Sequence, residues 1–111
     1  MIRIAALYPN AEGSRFDGAY YVGKHTAFAQ VLLEPHGLIA LSTSLGLASL
    51  DGGTPPFWAI SEMQFTSRAA FDAAMATCGE SLFADIPNYT DVTPVLQLCS
   101  SAALQLCSVA E

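Results

Sequence analysis

Phe57-Trp58-Ala59-Ile60-Ser61-Glu62-Met63-Gln64-Phe65-Thr66-Ser67-Arg68-Ala69-Ala70-Phe71-Asp72-Ala73-Ala74-Met75 changes its period part-way along. Over residues 57–65 the side chains sort in steps of two: Trp58, Ile60, Glu62 and Gln64 fall on one face of a strand, and Phe57, Ala59, Ser61, Met63 and Phe65 on the other. Beyond Ser67, a good N-cap, Ala70, Phe71, Ala74 and Met75 form the stripe of an amphipathic helix. One strand therefore feeds directly into one helix, and the fold depends on what flanks this pair.

Upstream, residues 2–8 are a short apolar run closed by Pro9-Asn10, the punctuation of a strand leaving a sheet. Asp17 caps a helix carrying Tyr20, Tyr21, Phe28, Val31 and Leu32, and Pro35 to Gly37 end it. Residues 38–47 alternate serine and threonine with leucine and alanine, a second strand joined to the third by the turn-rich Asp51-Gly52-Gly53-Thr54-Pro55-Pro56. Downstream, the second helix is expected to break near Cys78-Gly79 and to resume over residues 81–84, and Pro94 introduces a last strand over residues 95–100. The order βαββαβ predicts an α+β, ferredoxin-like fold: a four-stranded antiparallel sheet with two helices on one face.

At 111 residues the chain builds one domain, expected over residues 1–100 with a C-terminal tail at 101–111. Leu96-Gln97-Leu98-Cys99-Ser100 recurs eight residues on as Leu104-Gln105-Leu106-Cys107-Ser108. Because eight is even, two extended copies present the same side chains to the same side. The tail is then an edge strand, a segment crossing to a partner, or a frayed end.

The composition is 52% hydrophobic and only 13% charged, so part of the apolar surface is expected to meet a second subunit. A net charge of −6 with four scattered basic residues offers no footprint for nucleic acid or anionic lipid. No apolar run reaches the roughly 20 residues that cross a bilayer, and the opening residues read as a strand instead of a leader, which predicts a cytoplasmic protein. Cys78, Cys99 and Cys107 form no C-x-x-C pair, and reduced, buried thiols are expected in place of disulfides or a zinc site.

His25 lies four residues after Tyr21, on the same face of the first helix. It reads as a general acid or base oriented by Tyr21, or as a helix-face histidine bonded to a tyrosine or a carbonyl. His36, in Pro35-His36-Gly37, reads as a helix-end cap. The two histidines match no compact metal spacing, so no metal is predicted. Tyr8 and Asn10 close the first strand while Asn88 and Tyr89 precede the last, so these residues can share one rim of the sheet as a pocket mouth or a bonded turn. Trp58 and Glu62, with Gln97 on the last strand, are expected to line a ligand cavity on the sheet face away from the helices.

Asp85-Ile86-Pro87-Asn88-Tyr89-Thr90-Asp91, read with Tyr8-Pro9-Asn10, Phe16-Asp17, Tyr20-Tyr21, His25, His36-Gly37-Leu38, Gly46-Leu47 and Pro55-Pro56, resembles the EthD family over nearly the whole chain. The resemblance implies a homodimeric α+β barrel, in which two sheets face each other, and a small hydrophobic ligand. It implies a cofactor-independent oxidoreductase, or an isomerase or cyclase, acting on an aromatic or enolisable compound with His25 and Tyr21 as catalytic residues. The alternative is a non-catalytic, ligand-binding accessory dimer in a haem monooxygenase pathway.

Overall fold

The computed structural model describes residues 1–100. Its strands are β1 (Ile2–Pro9), β2 (Leu38–Leu45), β3 (Phe57–Phe65) and β4 (Val95–Ser100), joined antiparallel in the order β2-β3-β1-β4. Two helices cover one face, so the ferredoxin-like α+β arrangement is as the sequence predicts. The tail and its repeated Leu-Gln-Leu-Cys-Ser lie outside the described residues. Among the described residues no helix is long and apolar enough to cross a membrane.

The helix starts are set locally. Asp17 Oδ1 accepts the Tyr20 amide at 3.0 Å, and Ser67 Oγ accepts that of Ala70 at 3.1 Å. Gly37 ends the first helix with φ at 98°, where a Cβ would also meet Thr66 Oγ1 at 3.0 Å and Ala70 Cβ at 3.1 Å. The expected break at Cys78-Gly79 does not occur, and the second helix is continuous over Arg68–Asp85. Cys78 and Gly79 are buried against the fold, and that packing outweighs the roughly 1 kcal/mol that glycine costs a helix interior.

On the helix side of the sheet, Ile4, Ala6 and Tyr8 of β1 and Ala59, Ser61 and Phe65 of β3 are buried. The core divides into a part around Leu33, Phe65 and Leu82 and a part built on the phenols of Tyr8, Tyr21 and Tyr89. The opposite sheet face carries the Arg3–Glu62 ion pair at 3.1 Å and the half-exposed Ile60 and Val95.

Alternation alone puts Trp58 on that outer face, and the structure corrects this. Tyr8 pairs with Ala59 but Pro9 pairs with Phe57, which leaves Trp58 in a bulge with no partner on β1. Its indole stacks on Phe16 at 6.1 Å and donates to Ser14 Oγ at 2.8 Å, at the rim of the aromatic cluster.

Candidate active site

The first helix is not a uniform α-helix. Gly18–Tyr20 and Thr26–Leu33 are α-helical, and Tyr21–His25 between them is a π-helical turn. There the Thr26 amide reaches back five residues to the Tyr21 carbonyl, which also accepts the Thr26 hydroxyl at 2.8 Å. The Tyr21 and His25 rings lie nearly parallel, at 15° and 5.6 Å. Single π turns occur frequently at functional sites because they re-aim side chains within an otherwise regular helix.

Both rings line a cavity of about 80 Å³ between the sheet and the two helices. Small side chains on the facing elements leave this space: Ala6, Thr43 and Ser61 from the sheet, Thr26 and Ala29 from the helix. Met63, Phe71, Met75 and Leu82 make its far wall apolar, and Phe83, half-exposed, is also part of its lining. This cavity is thus on the helix side, and a second, of about 90 Å³, has Arg3, Ser42, Glu62 and Gln64 in its lining, on the outer face where the sequence reading expects one. Side chains too small to fill the layer between sheet and helices decide the place of the first, and the pattern of alternation does not reveal that.

His25 Nδ1 is 2.8 Å from Asp85 Oδ2, with the two side chains only 12% and 16% exposed. Asp85 Oδ1 accepts from the Tyr20 hydroxyl at 2.7 Å and from Asn88 Nδ2 at 2.9 Å. Burial pushes the Asp85 carboxyl up, but the hydrogen bonds from Asn88, His25 and Tyr20, with the charge of His25, outweigh it and hold the group below the usual carboxylate range. An ionised Asp85 accepts the Nδ1 proton, and of the two neutral imidazole tautomers it favours the one that leaves the Nε2 lone pair free. Nε2 has no hydrogen-bond partner among the described residues, yet it is not sealed from solvent.

Beside the imidazole, the Tyr8 and Tyr89 hydroxyls meet at 2.7 Å, and Tyr21 is hydrogen-bonded to Ser61 at 2.5 Å. Burial, more than any other cause, raises all three phenols above their ordinary range. They stay protonated at any physiological pH. Among the described residues no three His, Cys, Asp or Glu side chains converge as a metal ligand set.

Tyr8, Tyr21 and His25 therefore come together at the cavity, with Asn88 behind them as a bond donor to Asp85. The other candidates lie elsewhere. Asn10 fastens the β2–β3 connection, its Nδ2 donating to the Pro55 carbonyl at 3.0 Å. Glu62 pairs with Arg3 on the outer sheet face, Gln97 is exposed on that face, and Trp58 packs at the rim. Sequence reasoning missed Asp85 as a site residue, although one signal was present. A carboxylate at a helix C-terminus faces the negative end of the helix dipole, and such a placement calls for compensating donors.

No family model and no curated protein matches the chain. Among solved structures, an EthD-like protein from Ralstonia eutropha JMP134 is 35% identical over 94% of each chain, with a TM-score of 0.85. The chain belongs to the EthD family. An EthD family protein from Bacillus halodurans C-125 is 21% identical over 87% of this chain and 96% of its own, with a TM-score of 0.64. SnoaB, a cofactor-independent oxygenase from Streptomyces nogalater, is 12% identical over 94% and 95% of the two chains, with a TM-score of 0.62. At those identities the likeness is one of fold, and it places this EthD chain on a scaffold that also carries cofactor-independent oxygenases.

Proposed function

We propose that this protein is a small-molecule enzyme that removes a proton from the carbon beside a carbonyl in a hydrophobic, enolisable compound. The observation that carries this reading is the His25–Asp85 pair, with the imidazole in the lining of a largely apolar cavity. Nε2 takes the proton, and the C–H electron pair becomes an enolate whose oxygen accepts a hydrogen bond from Tyr8. The imidazolium that forms is stabilised by Asp85, which Tyr20 and Asn88 hold in place. Such a dyad needs no bound cofactor for this step, and its enolate is the common entry to cofactor-independent oxidation by dioxygen and to isomerisation or cyclisation. The likeness in fold to a cofactor-independent oxygenase supports the oxidative branch.

The working form is proposed to be a homodimer in which the outer sheet faces meet, since Ile60 and Val95 give that face an apolar surface and Arg3 with Glu62 gives it polarity. Hydrogen–deuterium exchange at the α-carbon of 2-tetralone, followed by NMR, tests the chemistry. Wild type should accelerate exchange, and His25→Gln should lose about 100-fold of that acceleration, the usual contribution of a positioned base. Saturable binding of the ketone with no faster exchange would replace the enzyme by a carrier.

A further inference from the structure

The cavity beside His25 has one side that the helices leave uncovered. Leu96 and Leu98 of β4 pair with Ala6 and Ile4 of β1, so all four belong to the helix side of the sheet. Ile4 and Ala6 are buried there, yet Leu96 and Leu98 are 48% and 47% exposed. On the second helix Phe83 is 49% exposed, and both Phe83 and Leu96 line the cavity. Side chains that stand half in solvent and also line a cavity mark its mouth. The mouth therefore lies between the second helix and β4.

The enclosed space is small. Its volume of about 80 Å³ falls well short of the ~150 Å³ that holds a single benzene ring in an engineered apolar cavity. A ring-bearing ligand is admitted only where part of the wall yields, and the wall is not equally stiff all round. Ala6, Thr43 and Ser61 are short side chains fixed on three hydrogen-bonded strands. Met75 and Phe83, also in the lining, flank Gly79 four residues away on either side, so the three share one helix face. A Cβ on Gly79 would lie 3.7 Å from Met75 Sδ and 3.9 Å from Phe83 Cε2, which shows that both side chains rest over bare backbone. Met75 is unbranched and turns about three bonds, and Phe83 has solvent to turn into. No lysine, arginine, aspartate or glutamate is in the lining, so a charged ligand would be buried without a partner.

We propose that ligands reach His25 between the second helix and β4, past Phe83, and that Met75 and Phe83, lying over Gly79, decide which ring-bearing ligands the cavity admits. The class is an uncharged, flat ring ketone larger than the resting cavity. This deepens the proton-transfer reading above and rests on it for the ketone. Binding that requires a side chain to swing aside is slowed in both directions, because the same movement precedes entry and exit. A residue that merely lines the site alters dissociation alone.

The test is binding of 2-tetralone followed by NMR line-shape titration, which yields both rates. Phe83→Ala should raise association and dissociation together by about tenfold and leave the affinity within about threefold. Gly79→Leu fills the space beneath the two side chains and should weaken binding about tenfold or more, while adding Phe83→Ala to it should recover most of that loss. Thermal melts show whether the variants fold. Should Gly79→Leu fail to fold, Gly79→Ala, whose methyl fits at ordinary contact distance, should slow both rates about threefold. A change in dissociation alone for Phe83→Ala, or wild-type rates in the folded Gly79 variant, overturns the proposal. Either result with α-carbon exchange intact would overturn this inference alone, whereas the paired change in rates without exchange would overturn only the proton-transfer reading. Failure of wild type to bind 2-tetralone would overturn both.

Discussion

His25 Nδ1, in the π turn of the first helix, lies 2.8 Å from Oδ2 of Asp85, the last residue of the second helix, sixty positions along the chain. Neither helix places its group for a local reason. The dipole of the second helix disfavours a carboxylate at its C-terminus, and three donors, Tyr20 and His25 of the first helix and Asn88 three residues on, offset that cost.

Asp85→Asn follows from this arrangement. The folded-state pKa of Asp85 is depressed, so its contribution to stability is present above the unfolded carboxylate value of about 3.9 and is lost as pH falls through the folded value. The variant should be less stable than wild type at pH 7, by about 1–3 kcal/mol in urea melts. The gap should close as the pH is lowered below about 4, and a gap that stayed constant would argue against an ionised Asp85.

Tyr20→Phe separates support from chemistry. It removes one donor from Asp85 while leaving the His25–Asp85 contact in place, and should lower stability less than Asp85→Asn does. Ring-nitrogen NMR of His25 should still show the Nδ1–H tautomer in Tyr20→Phe. In Asp85→Asn that signature should weaken.

Gly37→Ala should be among the most damaging single-methyl changes in the chain. It combines a left-handed φ of 98° with a Cβ placed 3.0 Å from Thr66 Oγ1 and 3.1 Å from Ala70 Cβ. A loss of about 2 kcal/mol in chemical denaturation is expected. At Gly23, where a Cβ would meet nothing within 4 Å, the same change should be neutral or slightly stabilising.

Ile60→Glu tests the proposed pairing of outer sheet faces. If two sheets meet there, the added carboxylate is buried without a partner, and light scattering should show dimer giving way to monomer. A wild-type monomer at micromolar concentration would end that proposal.

The sequence by itself determined the element order, the bounds of β3 and β4, and both helix caps. Each is a local matter: a period of two or of three to four, or a side-chain oxygen meeting an amide three residues on. It also placed His25 and Tyr21 together, because i and i+4 share a helix face. Tertiary structure decided the rest. That Trp58 leaves its face depends on a bulge set by pairing with β1, and that the second helix runs through Gly79 depends on burial. The cavity lies under the helices because Ala6, Ser61, Thr43, Thr26 and Ala29, from four different elements, are all small where they face one another. No single segment encodes a void, and none encodes the pairing of His25 with Asp85. Both arise only where distant pieces of chain are packed together, since unfilled volume and hydrogen-bond partners are properties of the packed layers.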